Sequence, residues 1–497
     1  MKGSILVSKD FIIGRSEDNL FSGFVEHLGR SVYNGIYEPS HPAADENGFR
    51  KDVIELVKEL DMPLTRYPGG NFVSGYNWLD GIGPVDQRPV RPEYAWKATE
   101  TNRVGIDEFI KWCRSANTEP MYTVNLGTNT PKAAQELVEY CNFPGGTYYS
   151  DLRKKNGSPE PHNIKYWCLG NEMDGDWQIG HMTANEYGRK AHEAAKMMRW
   201  ADPEIKLCAC GSSGTGLSTF AAWDEEVLRH LYSDMEYLSV HAYFGNSDRN
   251  FPKFYASPER LDRQLENIIA CCDAVGAEKK SRKKIMLALD EWNVWYRGRT
   301  PEDNPWKCGE AALEEIYDMA DVLVTGGLLL SILDHCDRLK IACIAQTCNV
   351  IAPIMTATGG KAWKQTIYYP LRETSRYGRG LVLRSIVDSQ EYEVEDTGSV
   401  KYLRSSCVWQ QEDNSVTIFA INRADEEMEF SAILKEFSPK ECIYAKTIRH
   451  DSPDAVNTMD NEQVKPVDIP AEYIKLENKT LSAKLAPCSW NIFRVAL

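Results

Sequence analysis

Two glutamates that follow short apolar runs are the residues of this sequence best suited to acid–base and nucleophilic chemistry. Glu172 follows the run 167–171, and Glu291 follows the run 285–290. Cleavage of a glycosidic bond with retention of configuration uses two carboxyl groups about 5 to 5.5 Å apart, one that donates a proton and one that attacks the anomeric carbon. We therefore predict glycoside hydrolysis, in which one carboxyl stays protonated as the acid; the residues alone do not say which.

A parallel (β/α)8 barrel would bring two such distant residues together at the C-terminal ends of its strands. Between about residues 45 and 345, helical periodicity alternates with short apolar runs, which indicates repeated βα units. The predicted strands include residues 64–67, 121–125, 205–210, 237–240, 285–289 and 341–345. The predicted helices cover residues 52–60, 106–115, a segment that starts at the capping box of Thr183, and 313–325.

The two ends of the chain predict a second domain. After about residue 379 the sequence turns to strand-like runs such as 415–422, separated by acidic turns, which is typical of a β-sandwich, here of jelly-roll type. Residues 5–13 read as one strand, which we expect to pair with the C-terminal sheet. The predicted boundaries are 1–20 for this sandwich strand, 21–378 for the catalytic barrel and 379–497 for the sandwich.

Composition excludes several classes of partner. The formal net charge of -15 comes from 72 acidic and 57 basic residues without a basic stripe, so we expect neither a nucleic acid nor a membrane partner. No secretory signal is visible, and the 14 scattered cysteines suit reduced thiols in the cytoplasm. Because the sequence has neither a CxxC pair nor an HExxH motif, we expect no metal site.

Further polar and aromatic residues fall at predicted strand ends and are candidates for substrate binding. They are Glu26, Asn71, Trp96, Asn171, His241, Tyr243 and Gln346. Each has a structural alternative: Glu26 suits a buried ion pair as well as a sugar contact, and Asn71 suits a helix cap. Asp290 precedes Glu291 on a predicted strand, so its side chain should face the opposite side and serve structure.

The longer motifs resemble those of a known family. They are residues 24–30, 66–72, 167–175, 290–293, 349–353 and 489–491. With them the chain resembles the family 51 glycoside hydrolases, the intracellular α-L-arabinofuranosidases of the large retaining clan. The resemblance implies that Glu172 is the general acid/base on the fourth strand and that Glu291 is the nucleophile on the seventh. The family forms oligomers, often hexamers, and needs no metal or organic cofactor.

The same resemblance assigns roles to the other candidates. Glu26, Asn71 and Asn171 match residues that hold the arabinofuranose hydroxyls. His241 and Tyr243 match residues that orient the catalytic carboxylates, Gln346 matches a further sugar contact, and Trp96 matches an aromatic residue of the cleft. Ala242 and Phe244 stand where the resemblance leads us to expect a more polar pair, a departure that could alter the preference for the leaving group. The loop 297–307 also departs from the family pattern, and we expect it to shape the mouth of the cleft.

The resemblance therefore implies an exo-acting, retaining enzyme that removes terminal non-reducing α-L-arabinofuranosyl groups from arabinan and arabinoxylan oligosaccharides. Its expected partners are these sugars and further copies of itself. Two alternatives stay open. One is a different specificity on the same scaffold, endo-glucanase or xylosidase, and the other is a carbohydrate-binding protein without catalysis.

Overall fold

A closed barrel of eight parallel strands forms the larger part of the molecule. The computed structural model describes residues 1–296 and 306–497, so Arg299, Pro301 and Pro305 of the predicted mouth loop lie outside the described residues. The barrel strands, one to eight in chain order, are Ser22–Phe24, Leu64–Tyr67, Glu119–Val124, Tyr166–Leu169, Lys206–Ala209, Tyr237–Phe244, Met286–Val294 and Leu339–Ala345. Strand eight pairs with strand one and closes the barrel, which confirms the (β/α)8 prediction.

Helices follow the barrel strands, and most begin close to their predicted positions. The helices are Lys51–Leu60, Ile106–Ala116, Pro131–Asn142, Tyr148–Lys155, Ala184–Ala201, Ala222–Leu231, Phe251–Tyr255, Ser257–Glu278, Met319–Asp334 and Tyr368–Tyr377. The prediction of a helix over 313–325 is wrong at both ends. Leu313 has a left-handed φ of 48°, and the helix starts only after Asp318, whose carboxylate accepts the amide hydrogen of Asp321.

Strands six and seven continue further than their apolar runs. They end at Phe244 and Val294, and His241 lies opposite Glu291 while Tyr243 lies opposite Asn293. Polar residues thus extend both ladders to the C-terminal rim of the barrel. The sequence pattern missed this extension because it marks a strand by its apolar residues.

Two sheets stack as a β-sandwich, as predicted. The larger has the order Ile12–Arg15, Leu381–Leu383, Leu403–Gln410, Ser415–Asn422, Ser489–Ala496, Glu441–Ile448, Val467–Asp468. The smaller has the order Ile386–Ser389, Lys2–Val7, Met428–Leu434, Thr480–Leu485, Lys475–Glu477. Phe430 and Phe493 stack between the two sheets with ring centroids 6.0 Å apart. Short hairpins complete the strands: Arg91–Glu93 with Ala98–Glu100, Ile354–Thr356 with Ala362–Lys364, and Glu391–Val394 with Gly398–Lys401.

The N-terminal segment joins the sandwich, but as two strands rather than one. Lys2–Val7 pairs with both neighbours in the smaller sheet, and Ile12–Arg15 pairs with Leu381–Leu383 in the larger. The amide of Phe11 donates to the carbonyl of Ser8 at 3.1 Å, in the turn between them. The expected pairing with C-terminal strands is confirmed, and the single strand is corrected because this turn passes the chain from one sheet to the other.

The centre of the larger sheet is buried on both faces, since the sheet also packs on the barrel. Every residue of Ser415–Asn422 is buried. At Gly326, in helix Met319–Asp334, an added Cβ would lie 2.3 Å from the ring of Trp490, so the helix can approach the sheet closely only with glycine there. All 14 cysteines are free thiols. Among the described residues, no helix combines the length and the apolar character needed to cross a membrane.

Candidate active site

The two predicted glutamates meet at the C-terminal end of the barrel. Glu172 lies just beyond strand four, and Glu291 lies on strand seven. One carboxylate oxygen of each, together with a ring nitrogen of His241, lie within 4.8 Å of one another. Such close approach suits the short separation of a retaining pair rather than the roughly 6.5 to 9.5 Å of an inverting pair.

Glu291 is held in place by charged and phenolic donors. Nη1 of Arg66 donates to Oε1 at 2.6 Å, and the Tyr243 hydroxyl donates to Oε2 at 2.8 Å. Burial, followed by the charges of Glu291 and Glu172, raises the pKa of Tyr243 well above its ordinary value, so the phenol stays protonated. The carboxylate of Glu291 is therefore fixed in one orientation, as attack on a sugar carbon requires.

Glu172 is presented by a strained turn rather than by a strand. Its φ of 44° lies in the left-handed region, two residues after Gly170 with a φ of 90°. Oε1 lies 2.9 Å from Nδ1 of His241, and Oε2 accepts the indole N–H of Trp177 at 2.7 Å. The turn thus aims the carboxyl back over the barrel, where two donors hold it.

Asp290 also faces the barrel interior, which corrects the prediction that it points away. On strand seven, Ala288 pairs with Ser239 and Glu291 pairs with His241, so strand seven carries one extra residue in this interval. Such a bulge breaks the alternation of side chains and lets neighbouring residues face the same side. Asp290 and Glu291 consequently both point inward, Asp290 beneath the catalytic pair.

The buried Asp290 carboxylate connects Arg66 and His241. It lies 3.2 Å from Nε of Arg66 and 3.5 Å from Nε2 of His241, and it accepts the Ser239 hydroxyl at 2.5 Å. Burial alone would raise the pKa of Asp290, but the charge of Arg66 and the bond to His241 lower it to about 2. Asp290 is therefore ionised at neutral pH.

His241 carries a positive charge in this setting. Burial lowers the pKa of His241, but the charge of Glu291, the 3.5 Å ion pair with Asp290 and the hydrogen bond to Glu172 outweigh burial and raise it well above its ordinary value. An imidazolium donates from both nitrogens, which here point towards carboxylates. His241 can therefore orient Glu172 and exchange a proton with it.

A third carboxyl, Glu26, lies beside the pair in a different state. Its Oε1 accepts from the amide of Phe72 and from Nε1 of Trp96, both at 3.0 Å, and its Oε2 accepts from Nε2 of Gln346 at 3.2 Å. Burial raises the pKa of Glu26 to about 8, and the charge of Glu291 adds to the shift. At neutral pH this carboxyl is mostly protonated and has a hydrogen to offer to a sugar hydroxyl.

The two predicted asparagines differ in how the structure places them. Asn171 is buried, and its Oδ1 accepts from Nη2 of Arg66 at 2.7 Å. Asn71 opens the short 3-10 turn Asn71–Gly75 and is partly exposed. Within residues 1–296 and 306–497 the Asn71 side chain makes no hydrogen bond. Asn171 therefore contacts the site directly through Arg66, whereas Asn71 is connected to it only through the neighbouring Phe72, whose amide donates to Glu26.

Ala242 and Phe244 pack on the opposite side of strand six from His241 and Tyr243. Both are buried in the core that the barrel shares with its helices, and the guanidinium of Arg260 lies 5.3 Å from the Phe244 ring centroid. Their position on the helix side explains why apolar residues stand there. They do not line the cleft.

Sequence reasoning missed several residues of the site. Arg66, in strand two, bonds Glu291, Asp290 and Asn171, and a buried arginine inside an apolar strand was a signal that carboxylates surround it. Glu93 accepts the amides of Ala95 and Trp96, both at 2.7 Å, and so holds the turn that carries Trp96. No local signal pointed to Glu93 or to Trp177, because both contacts depend on how loops fold.

Among the described residues, two groups of side chains have the spacing of metal ligands. One is Glu172, His241 and Glu291, and the other is Cys168, Cys208 and Asp290. Imidazolium is favoured at His241, and burial raises the pKa of Cys208 well above its ordinary value. A metal would therefore have to displace a proton from each group as it binds.

Comparison with known proteins identifies relatives along the whole chain. Residues 56–261 match the model of the alpha-L-arabinofuranosidase 1 domain, and residues 290–489 match that of the alpha-L-arabinofuranosidase C-terminal domain. An intracellular exo-alpha-(1->5)-L-arabinofuranosidase 1 of Bacillus subtilis is 48% identical over 496 residues, covering 99% of each chain. An exo-alpha-(1->6)-L-arabinofuranosidase of Bifidobacterium longum is 43% identical, covering 99% of this chain and 97% of the relative.

Solved structures agree with these sequence relatives. A family 51 alpha-L-arabinofuranosidase from Bifidobacterium longum superposes with a TM-score of 0.95 at 39% identity, covering 99% of each chain. An alpha-L-arabinofuranosidase from Thermotoga maritima, solved with arabinose, superposes with a TM-score of 0.88 at 33% identity over the full length of both. With its paired glutamates in a (β/α)8 barrel and a β-sandwich behind it, this chain belongs to the family 51 glycoside hydrolases, the α-L-arabinofuranosidases.

Proposed function

We propose that this protein is an exo-acting, retaining α-L-arabinofuranosidase, with Glu172 as general acid/base and Glu291 as nucleophile. The observation that carries the proposal is the contrast in their contacts. Glu291 is fixed by Arg66 and Tyr243, as a nucleophile must be, whereas Glu172 touches the charged His241, a source and acceptor of protons.

In the first step, the Glu291 carboxylate attacks the anomeric carbon of a terminal arabinofuranosyl group. As the bond from that carbon to the glycosidic oxygen breaks, Glu172 gives its proton to the departing oxygen, and a covalent ester forms on Glu291. Arg66 and Tyr243 hold the attacking carboxylate in line. Asn171, Glu26, Gln346 and Trp96 surround the sugar in this proposal, and Asn71 is its most peripheral contact.

In the second step, Glu172, now a carboxylate, removes a proton from water. The resulting hydroxide attacks the anomeric carbon, the bond to Glu291 breaks, and arabinose leaves with its original configuration. The charged His241 beside Glu172 stabilises the carboxylate between the two steps. No metal or other cofactor enters this sequence of steps.

The proposed substrates are arabinan- and arabinoxylan-derived oligosaccharides, with α-(1→5) linkages as the preferred ones. Support comes from relatives of Bacillus subtilis, Halalkalibacterium halodurans and Acetivibrio thermocellus, which are 45–48% identical and are named exo-alpha-(1->5) enzymes. Their names also call them intracellular, which supports a cytoplasmic location for this chain. The α-(1→6) enzyme of Bifidobacterium longum makes linkage preference a question for a panel of arabinobioses.

Assembly and domain limits are also part of the proposal. We assign the barrel to residues 21–378 and the sandwich to 379–497 with 1–20, and we expect a homo-oligomer, of which a hexamer is one candidate, without nucleic acid or membrane partners. Light scattering coupled to size-exclusion chromatography measures the assembly. A mass equal to that of one chain would overturn the proposed oligomer and leave the proposed activity unchanged.

The test of the activity is hydrolysis of 4-nitrophenyl α-L-arabinofuranoside beside the matching β-D-xyloside and β-D-glucoside. We expect turnover of the arabinofuranoside that disappears in Glu291→Ala. Turnover of only another glycoside would point to the xylosidase or glucanase alternative. Binding of arabino-oligosaccharides without turnover of any glycoside would favour the carbohydrate-binding alternative.

A further inference from the structure

Trp177 combines an exposed ring with a direct hydrogen bond to Glu172. Its side chain is 49% exposed, although aromatic rings of this size usually bury most of their surface. Its indole nitrogen donates to Oε2 of Glu172 at 2.7 Å, a short bond for this type of donor. The ring therefore stays at the surface because its polar end is tied to the acid/base carboxyl.

The turn after strand four is built to place the indole there. The amide of Gly175 donates to the carbonyl of Glu172 at 2.9 Å, and the amide of Gln178 donates to the carbonyl of Gly175 at 3.1 Å. The Gln178 side chain anchors the far end of the turn by donating to Oγ of Ser74 at 2.5 Å. The segment thus folds back on itself and carries Trp177 over Glu172.

Gly175 gives the indole the room that it needs. A Cβ on residue 175 would lie 2.4 Å from the Trp177 ring, closer than two carbon atoms approach without a shift. Since the ring is exposed, it is the part that can move. A single methyl group at this position would push the indole away from the carboxyl without removing it.

Donors occupy both oxygens of Glu172. Oε1 faces Nδ1 of the charged His241 at 2.9 Å, and Oε2 faces the indole N–H, which can donate but never accept. Two donors suit the ionised carboxylate, the form that acts as base in the second step. The first step needs a proton on this carboxyl, and the indole N–H, which stabilises the ionised form, opposes that protonation.

We propose that Trp177 is a positioning residue that favours the ionised form of Glu172 while the cleft is empty, and that departure of the indole from Oε2 favours the protonated form that the first step needs. The proposal rests on the acid/base role given to Glu172 above. On departure of the indole, Glu172 takes up one proton, which His241 or solvent supplies, and passes it to the leaving oxygen. His241 is buried and fixed by Asp290, so the exposed Trp177 is the donor that moves.

The test compares pH profiles of wild type and Trp177→Phe, which keeps an aromatic ring and removes the N–H. On α-(1→5)-arabinobiose, kcat/KM falls at high pH as the acid loses its proton, and without the indole donor this alkaline limb should move up by about one pH unit. On 4-nitrophenyl α-L-arabinofuranoside, the acidic limb of kcat, which reports the base form, should move in the same direction. Trp200→Phe, at an exposed tryptophan on helix Ala184–Ala201, is the matched control and should move neither limb.

Gly175→Ala supplies an independent variant in which the indole is present but displaced, and it should move both limbs as Trp177→Phe does. Limbs that coincide with wild type in both variants, with only KM changed, would overturn the proposal and reduce Trp177 to a surface for the leaving group. Failure of the acid/base role itself is distinguishable, because Glu172→Ala would then slow both substrates equally. Melting temperatures near that of wild type verify that each variant is folded.

Discussion

The two glutamates sit in opposite kinds of structure. Glu291 belongs to a barrel strand and is bonded to Arg66 and Tyr243, with its side chain 8% exposed. Glu172 follows its strand in a left-handed turn, 12% exposed, and is bonded to His241 and to the exposed Trp177. The Glu291 carboxyl is fixed by residues of the barrel strands. The Glu172 carboxyl instead contacts His241, which can exchange a proton, and the exposed side chain of Trp177.

This difference matches the demands of the proposed reaction. A nucleophile must keep one orientation through both steps, which a strand and a buried guanidinium provide. A general acid/base must change its protonation twice in each cycle, which requires contact with titratable groups and with solvent. The two roles therefore follow from surroundings rather than from residue type.

The largest expected effect is at the rigid side of this comparison. Glu291→Gln keeps the shape and the hydrogen-bonding capacity of the side chain but cannot form the ester, so turnover of every arabinofuranoside should fall by at least about 10⁴-fold. Steady-state hydrolysis of 4-nitrophenyl α-L-arabinofuranoside measures the loss. Retention of more than a few per cent of activity would remove Glu291 from the nucleophile role.

Glu172→Ala sharpens the comparison because its effect should depend on the leaving group. Arabinobiose, which needs a proton on its departing oxygen, should lose about 10² to 10⁴-fold in kcat/KM, whereas an activated aryl arabinofuranoside should lose far less. The ratio of the two losses is the measurement. Equal losses would mean that Glu172 donates no proton.

Asp290→Asn tests the connection that runs beneath both glutamates. The neutral side chain no longer balances the charge of His241, so the pKa of His241 should fall and activity should be lost at a lower pH than in wild type. We expect a loss of about 10 to 100-fold in kcat/KM at pH 7, as for other residues that orient a reacting group. Asp460→Asn, at an exposed aspartate, is the control. An unchanged pH profile in Asp290→Asn would mean that Asp290 has only a structural role.

The last prediction concerns the stability of the fold rather than activity, and it involves the third carboxyl. Glu26 has an ordinary pKa of 4.5 when unfolded and one of about 8 in the folded protein, so its protonated form stabilises the fold below pH 4.5 and this stabilisation is lost as the pH rises to 8. Glu26→Gln does not titrate and should become more stable relative to wild type by roughly 3 to 5 kcal/mol between pH 4 and pH 9. Urea unfolding at both pH values measures it, with the exposed Glu462→Gln as control; a constant difference would place the pKa of Glu26 near its ordinary value.

Sequence reasoning succeeded where one segment determines its own structure. Strands two, four and seven were visible as apolar runs, and the helix that begins at Ala184 was visible from the capping box of Thr183. Glu172 and Glu291 were visible because each ends such a run. Their meeting followed from barrel geometry alone, once strands and helices alternated.

Sequence reasoning failed where the structure depends on how distant segments pair. The bulge that turns Asp290 inward exists only relative to strand six, so nothing in the order of residues 285–293 reveals it. The contact of Trp177 with Glu172 depends on a loop that Ser74, from another part of the chain, anchors. The predicted N-terminal strand is broken in two because Lys2–Val7 pairs in the smaller sheet and Ile12–Arg15 in the larger. Both sheets are built largely from residues that are distant in the sequence.

The most direct test of the central claim is to trap the sugar on Glu291 by removing the carboxyl of Glu172. Glu172→Ala, incubated with 2,4-dinitrophenyl α-L-arabinofuranoside, should form the ester with Glu291 quickly and hydrolyse it slowly, since no base activates water. Intact-protein and peptide mass spectrometry should then find one arabinosyl group on the peptide that contains Glu291. Release of the phenol in repeated turnovers without such an adduct, or an arabinosyl group on another residue, would contradict the division of roles between Glu172 and Glu291.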